Sequence, residues 1–522
     1  MRGIRGAIEG VLPRERFADQ RDILSGAGQN VVGLVAGIAA TFAIQVLMTR
    51  TLGAALFGIV TVAAQIAFVG AAATRFGMDM ASVRLVAILV GRGERGRLRP
   101  LVARAVVIAA AVSVVAALGL LLVAGPVARI LSTRPELAKS AVQAAALALP
   151  FAAVAQTYLG ATRGLKVMRY YLYVFWVGQP LAWIALALVG WVVAQSAGMT
   201  MLAYAGSWAL ATVAAWWAWE RETRGFAVSS DGGGIPQERL GSLLRFGGLR
   251  APATLFSQLL FWTDLFVLAR YASSHAVGVY GAAIRAAQSL LLFLTSLSLV
   301  FSPFVADLHA RGERDRLDGL YKNVTRWSLA ATIPVLLALA ILPGPILRVF
   351  GGEFAAGSDA LRILIAGMIV PVTVGTVGFI LIMVGRTGWD LLVYAGSFAI
   401  DVGVAVALAP RIGMEGAAIA QALTLTMSST LRLLLVHRFV GIWPFDRWFL
   451  GLIPATIAGG ITMVGVHALL SGPKWLIDLG GSIGAGTIVY GVVLFATGLR
   501  PGEKRTVVAL ARRVIGRAPA GA

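Results

Sequence analysis

The sequence predicts an all-α polytopic membrane protein of about fourteen transmembrane helices, built as two six-helix lobes plus a C-terminal helix pair. Three observations lead there. Of 522 residues, 58% are hydrophobic and 13% charged, with a mean hydropathy of +0.82, whereas soluble domains carry about 25% charged residues. The apolar residues come in runs of about 20, the length that crosses hydrocarbon about 30 Å thick. A loop pattern also recurs at an offset of about 220 residues, the mark of an internal repeat.

The predicted spans of the first half are 24–48, 56–77, 101–123, 137–160, 171–194 and 201–219. Those of the second are 243–268, 276–304, 320–342, 360–384, 391–408 and 416–436, with 449–470 and 476–496 at the end. The second and eighth extend past the bilayer as amphipathic helices, since Arg75, Asp79 and Arg84 follow the second. Residues 1–23 mix five arginines with Glu9, Glu15, Asp19 and Asp22; the acids argue against a transit peptide and for an uncleaved amphipathic segment. The organisation that follows is a first lobe over 24–225, a linker over 226–242, a second lobe over 243–440, a helix pair over 441–498 and a basic tail over 499–522. Prolines at 150, 180, 252, 334, 371 and 454 fall in or beside spans, where each frees a carbonyl and shapes the helix.

Composition also excludes functions. There is no cysteine, which removes disulfides, thiol nucleophiles and thiolate-held metals. The four histidines, His275, His309, His437 and His467, are scattered; neither a metal nor a cofactor is called for. A net charge of +21 would suggest nucleic acid in a soluble protein, but these cations lie in short loops, where a membrane surface explains them and no nucleic-acid partner is needed. They crowd one side: Arg92, Arg95, Arg97 and Arg99; Arg163, Lys166 and Arg169; Arg311, Arg314 and Arg316; and both tails. By the positive-inside rule that side and both termini are cytoplasmic, in a bacterial cytoplasmic (inner) membrane.

The repeat is the most informative feature. Arg92-Gly93-Glu94-Arg95-Gly96-Arg97-Leu98 returns as Arg311-Gly312-Glu313-Arg314-Asp315-Arg316-Leu317. In nearly the same register Gly125-Pro126 matches Gly344-Pro345, Arg50 and Gly58 match Arg270 and Gly278, and Pro150 matches Pro371. Six spans per repeat is even, so the lobes share one orientation about a pseudo-two-fold along the membrane normal, with a substrate site between them.

Arg50-Thr51-Leu52-Gly53 with Phe57-Gly58, Phe76-Gly77-Met78-Asp79 with Arg84, and the two RGERxRL loops resemble the polysaccharide biosynthesis, or lipid-linked oligosaccharide flippase, family. That family belongs to the multidrug/oligosaccharidyl-lipid/polysaccharide exporter superfamily. The resemblance covers about residues 20–470. It implies a V-shaped, two-lobed transporter that flips lipid-linked oligosaccharides by alternating access. The two extra spans also resemble the lipid II flippases of that superfamily.

Charges inside spans cost about 2.5–3.5 kcal/mol at the centre and usually face a wet cavity. Arg285 lies about 13 Å from the outer end of the eighth span, followed by Gln288, Ser289 and Ser296 at helical spacing. Asp264 lies about 6 Å from the outer end of the seventh, within expected reach of Arg285. Arg285 is the candidate phosphate clamp, because guanidinium forks match phosphate oxygens. Asp264 would hold it when empty or act as a coupling-ion site; a purely structural Asp264–Arg285 pair is the alternative. Gln29, Thr41 and Gln45 of the first span and Gln258 of the seventh are candidate lining residues. Gly33 and Gly37 form a GxxxG whose usual meaning is close helix packing. Asp401, near the middle of the eleventh span, is a second coupling-ion candidate or a protonated structural Asp. Arg50 and Arg270, just past the outer ends of spans one and seven, are candidates for an outer gate, a sugar-phosphate contact or interfacial anchoring. The RGERxRL loops would bind anionic headgroups, pair on the surface, or draw a diphosphate toward the cytoplasmic entrance.

Three short motif matches are set aside: a GxGxxG at 91–96 with no preceding strand, a GxSxG at 480–484 inside a span, and the sequon Asn323-Val324-Thr325 on the cytoplasmic side. The expected function is therefore a flippase or exporter of a lipid-linked oligosaccharide or polysaccharide precursor. Its partners would be a polyprenyl-diphosphate glycan, membrane lipids and other polysaccharide-assembly proteins. A cation-coupled multidrug exporter and a lipid II flippase are the alternatives. A membrane glycan polymerase or ligase is least favoured, because the loops are too short to hold a catalytic domain, and no enzyme is expected.

Overall fold

The computed structural model of the protein describes residues 18–504 except 92, 166, 227–236, 471, 473–474 and 501. Side chains are described from residue 41 onward, apart from 237–251 and scattered positions that include Ser296. Residues 1–17, most of the predicted linker, the tail beyond 504 and the side chain of Gln29 therefore lie outside the described set.

All regular elements among the described residues are helices. The first half contains α1 (Ala18–Thr74), α2 (Met78–Gly91), α3 (Leu98–Leu122), the short α4 (Ala124–Leu131), α5 (Pro135–Gly164), α6 (Tyr171–Val193) and α7 (Ala197–Thr223). The second contains α8 (Gln237–Tyr271), α9 (Ser274–Gln288), α10 (Leu291–Ala310), α11 (Arg314–Ile341), α12 (Pro343–Leu347), α13 (Ser358–Val374), α14 (Val377–Met383) and α15 (Thr387–Val440). The chain ends in α16 (Leu452–Leu470) and α17 (Trp475–Thr497).

Nine helices among the described residues are long and apolar enough to cross a membrane, so the chain is a multi-pass membrane protein. Joins and breaks make the helices differ from the predicted spans. Spans one and two run together as α1, which leaves helical geometry at Gly53 (φ 70, ψ 170). Spans eleven and twelve run together as α15, broken at Ile412 and Gly413. Span eight, expected as one helix over 276–304, divides into α9 and α10 at residues 289–290.

Small residues set the packing. Without water to drive association, helices in lipid hold together by close contact, which favours Ala and Gly. α5 packs on α7, α3 and α1, and its Ala145, Ala148 and Ala152 are buried. α15 packs on α8 and α13, while α16 and α17 pair and rest against α11. Leu122, Val192, Ile461 and Leu469 face outward, where acyl chains would meet them.

The two RGERxRL loops share the same turn at their Gly-Glu step, after which Arg95–Arg97 forms a 3-10 turn and Arg314 begins an α-helix. Gly93 and Gly312 both take positive φ, 74 and 72. In each, the next glutamate amide bonds back to a leucine carbonyl, Glu94 to Leu89 and Glu313 to Leu308. In each, the arginine three residues on grips that glutamate: Arg97–Glu94 at 2.8 Å and Arg316–Glu313 at 3.0 Å. These loops mark one face of the molecule, called here the basic-loop face. From the second loop α11 runs 28 residues, about 42 Å, to the opposite face.

At that opposite face the halves are tied together. Arg50 donates from Nε to the Val349 carbonyl (3.0 Å) and from Nη2 to that of Arg348 (3.4 Å). Glu353 accepts from the Ala54 amide (2.8 Å) and meets His275 Nε2 at 3.1 Å. The hydroxyls of Ser132 and Thr133 lie 3.2 and 3.3 Å from that of Ser274.

Candidate functional site

The packing that joins α1 to α9 also aims the site. α9 is rich in small residues, and Gly278 and Gly281 let it lie directly on α1 beside Gly58 and Thr61. Seven residues further along each helix, about two turns on the same face, stand Gln65 and Arg285. Both line a cavity of about 490 Å³ enclosed by α1, α6, α7, α8 and the α9–α10 break. The two positions correspond in the repeat, so the repeat sets the place and the second half alone supplies the charge.

Arg285 sits with its guanidinium 4.8 Å from the centroid of the Trp262 ring. Its Nε is buried without a hydrogen-bond partner. A cation held over an indole face is stabilised by the ring quadrupole, by about 0.5–2 kcal/mol, while its N–H groups remain available to an acceptor. Gln45, Gln258, Gln288 and Ser289 share the wall, as does Thr41. Amide and hydroxyl groups around one guanidinium suit a ligand with an anionic group and many hydroxyls.

The other predicted residues lie elsewhere. Asp264 does not pair with Arg285. It is fully buried, it accepts a hydrogen bond from the Tyr280 hydroxyl, and its Oδ1 has no partner. Asp401, fully buried too, is close enough to interact with it electrostatically. Thr424 donates to Asp401 Oδ1 at 3.3 Å; its Oδ2 has no partner. The carbonyl oxygen of Gln421, on the same helix one turn before Thr424, is likewise buried and unpartnered. The two acids thus form their own cluster inside the second half. Arg50 and Arg270 line neither this cluster nor the cavity: Arg50 makes the tie described above, and Arg270 lies 5.6 Å over the Tyr271 ring.

A family model described as polysaccharide biosynthesis protein matches residues 24–309, over half of the sequence. The chain belongs to the polysaccharide biosynthesis protein family. A second family model, MatE, matches residues 252–407. The probable low-salt glycan biosynthesis flippase Agl15 of Haloferax volcanii is 24% identical over 216 residues, 40% of this chain and 46% of that protein. The chain spans less than half the length of the curated relatives it matches. An inward-facing multidrug resistance MATE family transporter of the MOP superfamily superposes with a TM-score of 0.66 at 14% identity, covering 78% of this chain and 98% of that one. The lipid II flippase MurJ in an inward closed conformation superposes with a TM-score of 0.59 at 13% identity, covering 92% and 99%. Both likenesses show the fold of this polysaccharide biosynthesis family member.

Several charged groups inside or beside this family member's spans went unnoticed in the sequence. Arg326 of α11 is 2% exposed; it donates to the Gly498 carbonyl at 2.8 Å and pairs with Glu503. Arg432 and Asp390 pair at 3.0 Å within the second half. His467 and Asp478 pair at 2.9 Å between α16 and α17. The rule that singled out Arg285 applies equally to Arg326, Arg432 and Asp478, because each falls inside a predicted span.

Proposed function

We propose that the protein moves the polar head of a lipid-linked oligosaccharide or polysaccharide precursor across the membrane, without chemistry on the substrate. Hydrocarbon rejects a sugar-phosphate head while the lipid tail is at home in it, so the head needs a wet, cationic seam. Arg285 in the wall of the roughly 490 Å³ cavity is the observation that carries this reading. Residues 24–225 and 243–440 are the two lobes, residues 441–498 a helix pair added to the second, and the seam runs between α1 and α8–α9. The fourteen crossings count α1 and α15 twice, once on each side of Gly53 and Gly413. A polyprenyl-diphosphate glycan fits the guanidinium, since its phosphate oxygens accept paired N–H donors. The positive-inside rule puts the basic-loop face and both termini in the cytoplasm. With the opposite face tied by Arg50 and Glu353, this conformation is closed to the outside.

The Asp264–Asp401 cluster supplies the coupling. Two fully buried carboxylates in one dry interior do not both stay charged unless a proton or small cation neutralises them. Flipping in proteoliposomes loaded with a fluorescent polyprenyl-diphosphate sugar tests the reading. Arg285→Ala should abolish flipping and leave the fold intact, and Arg285→Lys should retain part of it. Normal flipping by a folded Arg285→Ala protein overturns the proposal. Efflux of cationic drugs that survives Arg285→Ala would instead favour the multidrug reading, which rests on the MatE match over 252–407.

A further inference from the structure

A second cavity, about 180 Å³, lies inside the second half between α8, α10, the α13–α14 break and α15. It shares Phe261, Leu291 and Thr295 with the central cavity, so the two adjoin. Its wall holds a cation that the central site does not use. Arg432 is 7% exposed. Its Nε donates to Asp390 at 3.0 Å, and its guanidinium lies 3.9 Å over the Tyr394 ring. Its Nη2 is buried with no hydrogen-bond partner.

The surroundings are polar on the same side. Ser428 and Ser429 precede Arg432 by one turn of α15, on its face, and line the cavity with it. Thr376, at the break between α13 and α14, has a buried hydroxyl without a partner. Thr295 and Ser298 come from α10. The next turns of α15, Val436 and Val440, share an apolar cluster with Leu308, just before the second RGERxRL loop, and Leu317, its last residue. Arg432 therefore stands between the basic-loop face and the central cavity. Asp390 takes the Nε–H of the guanidinium, the tyrosine ring covers its face, and the buried Nη2 has no hydrogen-bond partner. A guanidinium held in that way is a fork preset for an oxyanion.

We propose that Arg432 is a second oxyanion site, which takes the phosphate of the lipid-linked headgroup between the basic-loop face and Arg285. Its role in transport rests on the function proposed above, but the binding site itself does not. Asp390 is its positioning residue, and the unpartnered hydroxyl of Thr376 adds a donor beside it; Ser428 donates to the Leu425 carbonyl at 3.1 Å and contributes only its oxygen to the wall. A free phosphate has the same chemistry, so lipid-borne and free anions must be told apart.

Calorimetric titration of the full-length, detergent-purified protein with farnesyl diphosphate tests this, with inorganic pyrophosphate in a parallel arm. Wild type should bind two equivalents of farnesyl diphosphate. Arg285→Ala and Arg432→Gln should each bind one, and the double variant none. Arg432→Lys keeps the charge and the pairing with Asp390 but loses the fork, and should weaken the second equivalent by at least about tenfold at an unchanged Tm. Asp390→Asn keeps a carbonyl acceptor for Nε but removes the competing negative charge, and should tighten it. Pyrophosphate filling the same two sites with equal affinity supports the site and assigns it to free anions; tighter farnesyl diphosphate assigns it to the lipid. One equivalent in wild type, lost on Arg285→Ala alone, overturns the proposal, as does an undiminished second equivalent in Arg432→Lys. Two equivalents together with unimpaired flipping by Arg285→Ala would instead overturn the proposed function and leave this site standing.

Discussion

Gly58 and Gly278, repeat-matched in the sequence, lie on one another in the structure. A Cβ added to Gly58 would come within 2.8 Å of the Gly278 amide nitrogen, and one added to Gly278 within 3.1 Å of the Gly58 nitrogen. Two equivalent positions meet in this way when they flank a local two-fold axis, which is what a parallel repeat generates. The obstacle is backbone on both sides, so no rotamer change relieves it. Gly278→Ala should lower stability by about 1–3 kcal/mol, the usual cost of overpacking. A lowered Tm with weakened cross-linking at the opposite face is the expected result.

The tie at that face makes a second prediction. Replacing Glu353 by Gln or Arg50 by Gln weakens hydrogen bonds worth about 1–3 kcal/mol each, which favours the conformation with that face open. The natural chain has no cysteine, so a Ser132→Cys, Ser274→Cys pair can report on it, since their hydroxyls lie 3.2 Å apart. Oxidation should cross-link the pair readily and stop flipping, with recovery on reduction. Adding Glu353→Gln should slow the cross-linking.

How much of this was legible follows from what a sequence encodes. Depth along a helix is read from residue counting, which is how Arg285 is placed inside the eighth span; that Gln65 lines the same cavity emerges only from the packing of α1 on α9. Azimuth is harder. Counting alone puts Asp264 about 7 Å shallower than Arg285, within reach of an arginine side chain. At about 100° per residue, however, Asp264 points roughly 200° away from Trp262, and it is Trp262 and Gln258, one turn apart, that line the cavity. Asp264 therefore turns into its own half and meets Tyr280 and Asp401. Arg326 meets the same in-span criterion as Arg285, but its pairing with Glu503, 177 residues away, is created only by the docking of α17 against α11 and is not legible from spacing. The arginine–glutamate grips inside the RGERxRL loops, three residues apart, were within reach of the spacing alone.

Glu503 carries the third prediction. Burial pushes its carboxyl up, but hydrogen bonds from Trp327, the Arg500 amide and Arg326 outweigh burial and hold it below the usual glutamate range. A depressed folded value means the stabilisation is complete above the ordinary glutamate pKa of about 4.3 and is lost as pH falls through the folded value. Removing one partner of a largely buried pair costs about 3–5 kcal/mol. Glu503→Gln should therefore lower the Tm clearly at pH 7, and the gap from wild type should close as the pH is taken below about 4. A gap independent of pH would assign the effect to packing instead.

Asp264 and Asp401 set the last prediction. Each has one carboxylate oxygen without a hydrogen-bond partner, and the Gln421 carbonyl nearby has none. Unpartnered carboxylate oxygens in a buried region are hard donors, which suits them to a small cation or a shared proton. Asp264→Asn and Asp401→Asn each remove one charge and leave a neutral side chain of the same shape, so the fold should survive. If the cluster takes sodium, wild type should gain Tm with added sodium and neither variant should. If it takes a proton, flipping by wild type should follow an imposed pH gradient and the variants should be indifferent to it. In both cases farnesyl diphosphate binding at Arg285 should persist, because the acids lie off the cavity wall. Loss of that binding along with coupling would mean that the cluster only braces the helices around Arg285.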